Sequence, residues 1–144
     1  MAGELRESCG AARTLAGQRS PRHPGRAVRA AVRRFHSPDA DLDTYVPDDP
    51  EDAGALVQIM AGLEGKPGEE SFDVVVCTPR WLDRWVREDG PLIGRHHLVV
   101  ERWDWARIRL YLTDAVESEE APTWPELGVR IGRIGKWEFE DYQP

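Results

Sequence analysis

A strand pattern passes directly into a helix start in the segment FDVVVCTPRWL, residues 72–82. The apolar run from Phe72 to Thr78 is rich in valine, whose β-branched side chain favours strands. The hydroxyl of Thr78 can cap a helix, and Pro79 suits the first helical position, where its missing N–H costs nothing. The segment therefore predicts a strand that is followed at once by a helix.

Further strands are predicted on both sides of this segment. Ala55–Ala61 is a second β-rich run, and the stretch Gly62–Glu70 between the two runs predicts a long-looped antiparallel hairpin. Apolar and polar residues alternate over Val28–His36, which is typical of a half-exposed strand. Another strand is predicted over His96–Glu101, whereas the Asp- and Pro-rich segment Ser37–Asp52 predicts a loop.

Capping residues and apolar spacing predict three helices. The first ends near Gly90, Asp104 caps the second, and Thr123 with Glu126 has the spacing of a capping box for a third that runs to about Ile134. The predicted fold is therefore α+β, with an antiparallel sheet of about four strands and two or three helices packed on one face.

The chain has six tryptophans, which is many for its size. Helical spacing puts Trp81, Trp85 and Trp105 on apolar helix faces, so we predict that these three belong to the core. The other three, whose role the sequence leaves open between core packing and partner binding, are Trp103, Trp124 and Trp137.

Charge divides the chain into two unlike parts. Residues 1–27 hold five arginines against two glutamates, a net charge of +3, whereas residues 28–144 hold fourteen Lys and Arg against twenty-four Asp and Glu, a net charge of −10. A strongly acidic body repels nucleic acid and lipid headgroups and attracts basic partners. The composition therefore favours a basic protein partner, and it disfavours nucleic acid and membranes.

Residues 1–27 are rich in Ala, Gly, Arg, Ser and Pro, with only Leu5 and Leu15 as large apolar residues. We predict a disordered basic N-terminal extension there and a single domain over residues 28–144. The extension has no apolar stretch of secretory length. The alternation of apolar and polar residues that predicts ordered structure begins abruptly at Val28. Since valine can be encoded by an alternative start codon, we hypothesise that the native product lacks residues 1–27. Abundant peptides from this extension in N-terminal mass spectrometry would contradict that hypothesis.

Three aromatic rings alternate with three carboxylates in KWEFEDYQ, residues 136–143. In an extended chain Trp137, Phe139 and Asp141 would share one side, and Glu138 would lie on the other. Aromatic enrichment is typical of protein interfaces, so we predict a partner-binding surface. Its candidate contact residues are Glu138, Glu140, Asp141 and Tyr142. A C-terminal edge strand whose outward carboxylates only keep it soluble is the alternative.

Loop carboxylates form a second set of candidate contacts. They are Asp48, Asp49, Glu69 and Glu70. Binding residues concentrate on loops, although charged loops are also the default surface of a soluble protein. Solvated charge is therefore the alternative for each of them.

Enzymatic readings find little support in the sequence. Cys77, the one cysteine of residues 28–144, precedes the helix cap in an apolar strand, where a buried inert thiol is the usual finding. His96 and His97 are adjacent on a predicted strand, so they point to opposite faces and cannot both bind one metal. No zinc spacing, phosphate loop or nucleophile elbow is present, and no cofactor is predicted.

No apolar run approaches membrane-spanning length, and the sparse cysteines suit a reducing cytosol.

Five blocks of the sequence, in order and spacing, resemble the immunity protein 8 family of bacterial polymorphic toxin systems. They are Phe35–Asp39, Tyr45–Glu51, Gly68–Val74, Val76–Leu82 and Gly135–Glu140. The likeness spans roughly residues 28–143. Where the family has a polar helix before the last block, this chain has Gly128 and Gly132, which leaves the length of that helix open.

The resemblance implies a cytosolic, non-enzymatic protein that binds and neutralises the toxin domain of a neighbouring gene. The acidic body suits this role, because nuclease toxins present basic clefts that attract carboxylates. The family supplies no catalytic residues to transfer, and it does not identify the toxin. A small enzyme or regulatory module of unknown chemistry is the alternative function.

Overall fold

The computed structural model describes residues 27–141. The predicted extension, except for Ala27, and the candidate contact Tyr142 lie outside the described residues. The elements in chain order are β1 (Val28–His36), β2 (Gly54–Leu63), β3 (Glu70–Cys77), α1 (Pro79–Asp89), β4 (His97–Val99), α2 (Trp105–Glu117), β5 (Glu120–Ala121), α3 (Trp124–Ile131) and β6 (Lys136–Trp137). The α+β class is confirmed.

The sheet has more strands than the sequence predicted, and not all of them are antiparallel. Its order is β4-β3-β2-β1-β5, and β6 also pairs with β3. The expected count of about four was low, because β5 and β6 are only two residues long and show no periodicity. The antiparallel assignment fails at β4, which pairs with β3 in parallel. The reason is α1, which carries the chain back along the sheet so that β4 runs in the direction of β3.

Two strands share the outer edge of β3. β4 pairs with Val75–Cys77, and β6 pairs in the antiparallel sense with Phe72 and Asp73. The opposite edge of β3 pairs with β2 in the predicted hairpin, from Gly54 opposite Cys77 to Ala61 opposite Glu70. The C-terminal part of the chain is thereby fixed beside the start of β3.

One face of the sheet carries the core. Alternate residues of β2 and β3 are almost fully buried, as the period of a strand requires. α2 and α3 cover this face with Ile108, Leu112, Val116, Leu127 and Ile131, all of which are buried. Burial of each of these aliphatic side chains stabilises the fold by about 1.5–3 kcal/mol.

The predicted helix caps are confirmed. The Thr78 hydroxyl accepts a hydrogen bond from the Trp81 N–H at 3.4 Å and another from the Ala53 N–H at 3.1 Å. Asp104 and Thr123 cap α2 and α3 in the same way, each with a side chain that accepts from the N–H three residues on. α3 ends three residues earlier than predicted, at Ile131, because Gly132 follows as its C-cap.

α1 differs from the other two helices because it has no buried residue. Its Trp81 lies against Gly54, where an added Cβ would come within 2.4 Å of the indole ring. Gly54 and Ala55 are consecutive on β2 and face opposite sides; Ala55 is in the core, so Trp81 lies on the other face of the sheet. The prediction that Trp81 and Trp85 belong to the core is therefore wrong, whereas Trp105 does pack against it.

Burial raises the pKa of the Cys77 thiol above its ordinary value of 9.0. An unfolded chain would form the thiolate at a lower pH than the folded protein, so stability is fully present below pH 9 and is lost as the pH rises through the folded pKa. We expect the free energy of unfolding to fall by up to about 1.4 kcal/mol per pH unit from this group. Urea titrations of the parent and of Cys77→Ala between pH 7 and about 10.5 measure it, because the variant lacks this component.

Candidate functional site

The C-terminal segment turns after β6 instead of continuing as an extended chain. The Glu140 N–H donates to the Trp137 carbonyl at 2.9 Å, which closes a turn over residues 138–141, here called the C-terminal turn. The period-two alternation predicted for this segment is therefore wrong beyond Trp137. Trp137 anchors the turn, since its ring stacks on Phe72 with centroids 6.2 Å apart.

Glu138 is joined to the start of β3 by two hydrogen bonds. The Ser71 N–H donates to Oε1 of Glu138 at 2.8 Å, and the Glu138 N–H donates to the Ser71 carbonyl at 3.1 Å. The side chain nonetheless stays exposed, as does Asp141. Both residues line an open groove of about 460 Å³ together with Asp73 and Lys136. The structure thus brings two of the predicted contact residues together on a fixed backbone.

Glu140 points in a different direction and is paired within the protein. Its Oε1 lies 2.9 Å from the Arg95 guanidinium and 3.6 Å from Nε2 of His96. His96 is itself held by the Gly132 carbonyl at 2.7 Å, so this carboxylate belongs to a small network at the beginning of β4. An exposed ion pair of this kind is worth about 0–1 kcal/mol, so a partner could displace it at little cost.

The loop carboxylates do not form one surface. Glu69 is paired with Arg34 at 2.7 Å and Glu70 accepts from the Trp124 indole, both at the end of the sheet where β3 begins. Asp49 is paired with Arg80 at 3.3 Å near the other end, where α1 begins. Because a strand of eight residues spans about 25 Å, the two groups are far apart.

Four of the predicted contact residues keep their carboxylates out of any ion pair within residues 27–141. They are Asp48, Glu70, Glu138 and Asp141, of which Glu70 accepts a hydrogen bond from the neutral Trp124 indole. The C-terminal turn therefore offers two such carboxylates close together, with Glu69 and Glu70 on the adjoining strand end. Asp48 belongs to a separate surface beside α1.

The face of α1 is a feature that sequence reasoning missed. Trp85 and Val86 are each 42% exposed, and the Trp85 ring stacks on that of Trp81 with centroids 5.5 Å apart. The apolar stripe that places them together was visible as helical spacing, but spacing alone does not tell whether another element covers the stripe. An exposed apolar surface of this kind commonly marks an interaction site.

Cys77 does not have the environment of a reactive thiol, because it is fully buried and burial raises its pKa, which disfavours the nucleophilic thiolate. The ring of His97 contacts the Arg95 carbonyl at 2.8 Å, and His96 is engaged as described above. Over the described part of the chain, His, Cys, Asp and Glu side chains form no group of three or more that could hold a metal ion.

Comparison with known proteins gives one match. The family model of immunity protein 8 matches residues 30–142, which is most of the chain. Neither the curated proteins nor the solved structures that were compared gave a match. Among residues 27–141, no helix has the length and apolar character needed to cross a membrane. On the strength of the family match, this chain belongs to the immunity protein 8 family.

Proposed function

We propose that the protein binds the toxin domain of its own polymorphic toxin system in the cytosol and neutralises it through an acidic, aromatic-containing surface. Its membership in an immunity protein family carries this proposal, since that membership implies a toxin as protein partner. The toxin surface that it meets is basic in this proposal. The C-terminal turn and the adjoining Glu69 and Glu70 supply the acidic contact.

Charge supports a basic partner. Residues 28–144 have a net charge of −10, and a potential of this sign accelerates association with a basic protein while repelling acidic ones. The carboxylates of Glu138 and Asp141 line one groove and form no ion pair within residues 27–141, although Lys136 lines the same groove. A guanidinium or ammonium group of the toxin would fit that position, where charge-assisted hydrogen bonds to the carboxylates would replace the water molecules that it loses on binding.

Geometry supports the C-terminal turn as a contact surface. The hydrogen bonds between Glu138 and Ser71 fix its backbone before any partner arrives, and the stacked Trp137 holds it to the sheet. A surface that is already ordered loses little conformational entropy when it binds. A flexible tail with the same composition would lose more.

A small enzyme or regulatory module is the alternative, and co-expression separates the two functions. We expect a host that expresses the neighbouring gene's toxin domain to survive when this protein is co-expressed, and the purified toxin domain to capture it in a pull-down. Survival should scale with the amount of the protein and require no added substrate. Growth arrest in spite of co-expression, together with no complex in the pull-down, would refute the proposal.

Reversing charge at the C-terminal turn should slow toxin binding. In the variant with Glu138→Lys and Glu140→Lys together, we expect the association rate to fall about tenfold at low salt, because the steering field is weakened where the toxin docks. Stopped-flow or surface-based kinetics at two salt concentrations measure this. The difference between variant and parent should shrink at high salt.

The matched control reverses two exposed carboxylates elsewhere, Asp41→Lys with Asp114→Lys, which changes the net charge equally. It should lose far less in association rate than the Glu138 and Glu140 variant. A thermal melt checks that the lost contacts to Ser71 and Arg95 have not unfolded the protein. Equal rates for the two double variants would exclude the C-terminal turn as the contact surface.

A further inference from the structure

The apolar face of α1 remains uncovered although the helix is strongly amphipathic. Its apolar residues Trp81, Leu82, Trp85 and Val86 form one stripe, yet none of them is buried. Trp85 and Val86 expose 42% of their surface each. A helix that follows a strand and leads to a parallel neighbour ordinarily buries its apolar stripe against the sheet, so this stripe is incomplete as it stands.

The position of this stripe is fixed by the sheet beneath it. Gly54, Cys77 and Val99 are paired in register across β2, β3 and β4, so they form one row on the sheet face opposite the core. Trp81 lies on Gly54 at the end of that row. At the other end Val99 is 50% exposed. Cys77 in the middle of the row is fully buried, so the stripe and the exposed Val99 form the accessible apolar surface, here called the α1 surface.

The rim of the α1 surface is acidic. Residues 48–52 contribute four carboxylates, while α1 itself has three arginines and three carboxylates, which leaves four net negative charges. The arginines are already engaged: Arg80 with Asp49, Arg84 with Asp52 at 2.6 Å, and Arg87 with Asp83 at 3.1 Å. A basic partner therefore suits this rim. A second copy of the chain would place acidic rim against acidic rim, since a two-fold dimer brings the same patch of both subunits together.

We propose that the α1 surface is a second toxin-binding surface, which accepts an apolar cluster of the toxin domain surrounded by Lys and Arg. This inference rests on the proposed function, because it assigns the same partner. Tryptophan is among the residues that contribute most to interfaces, and the stacked pair Trp81 and Trp85 offers a flat apolar centre inside a polar rim. The C-terminal turn lies toward the other end of β3, so the two surfaces would engage separate parts of the toxin.

The test uses the full chain and the toxin domain encoded by the adjacent gene, inactivated so that it can be purified. Trp85→Ala should raise the Kd for the toxin domain at least tenfold, mainly through faster dissociation. Val86→Asp should weaken binding by a similar factor, because it puts a charge into the apolar centre without removing the indole. Both side chains are half exposed, so both variants should melt close to the parent.

Leu110, an exposed apolar residue of α2, provides the matched controls. Leu110→Ala truncates an exposed apolar side chain as Trp85→Ala does, and Leu110→Asp introduces a charge as Val86→Asp does; both should bind the toxin domain within about twofold of the parent. Binding by Trp85→Ala and Val86→Asp at the parent's affinity would overturn the inference and leave the proposed function standing. A parent protein that fails to bind the toxin domain would overturn both.

Light scattering of the free protein distinguishes a second copy from the toxin as occupant. We expect a monomer whose mass is unchanged by Trp85→Ala. A dimer that Trp85→Ala dissociates, with the toxin affinity unaltered, would assign the α1 surface to self-association and overturn the inference.

Discussion

Phe72→Ala is expected to lower the free energy of unfolding by about 3–5 kcal/mol, the range for deleting a large buried aromatic side chain. Phe72 is fully buried at the start of β3, and it stacks on Trp137. The substitution therefore leaves a cavity in the core and removes the platform on which β6 packs. Since small domains have only about 5–15 kcal/mol of stability, the loss is a large share of the total.

Urea unfolding followed by tryptophan fluorescence measures this loss, and Phe139→Ala is the matched control. Phe139 lies two residues after Trp137 and is 39% exposed, so removing its ring should cost far less than removing that of Phe72. Phe72→Ala should also weaken toxin binding through the C-terminal turn at temperatures where the variant is still folded, because Trp137 loses its stacking partner. A loss in stability of Phe72→Ala no larger than that of Phe139→Ala would show that β6 and the core are not coupled as described.

Gly62→Ala should be the second most damaging substitution, by about 3 kcal/mol, at the upper end of what overpacking costs. A Cβ on Gly62 would lie 2.1 Å from the Gly68 carbonyl oxygen across the hairpin loop. That oxygen belongs to the backbone, so no side-chain rotation can relieve the contact, and the loop has to move. The hairpin between β2 and β3 is the centre of the sheet, which transmits the strain to the core.

Gly94→Ala is the control for this substitution, since a Cβ there meets no atom within 4 Å. It should change the unfolding free energy by less than about 0.5 kcal/mol, as substitutions away from packed features usually do. Thermal or urea denaturation of the two variants and the parent gives the comparison. Similar midpoints for Gly62→Ala and the parent would mean that the loop relaxes freely, against the packing described.

The longer elements and their caps could be predicted from the sequence because each has a local signal. Val28–His36 is a strand with the predicted bounds, and Thr78, Asp104 and Thr123 cap the three helices as their hydroxyl and carboxylate chemistry predicts. Turns and helix caps depend on residues three or four apart, so they can be predicted from the sequence without knowledge of the fold.

The remaining features depend on residues that are far apart in the chain. β6 forms because Lys136 and Trp137 pair with Asp73 and Phe72 of β3. A strand of two residues is too short to show a periodicity from which this pairing could be predicted. In the same way, helical spacing marks the stripe of α1 as apolar but cannot tell whether the sheet covers it. The candidate site has the same limit: Arg34 and Arg95 determine which carboxylates are paired, and they are 35 and 45 residues from their partners Glu69 and Glu140.

The shared outer edge of β3 has a consequence for solubility. Strands as apolar as this one are templates for cross-chain pairing and aggregation when an edge is open. Within residues 27–141, β2 pairs with one edge of β3, and β6 and β4 in succession pair with the other, so this apolar strand has a strand neighbour on both sides. The edges left without a strand partner belong to the short strands β4, β5 and β6 and to β1 beyond Arg29. On β1 the Val32 N–H donates to the Glu117 carboxylate, and Arg33 and Arg34 place charge along this edge, which discourages pairing with another molecule.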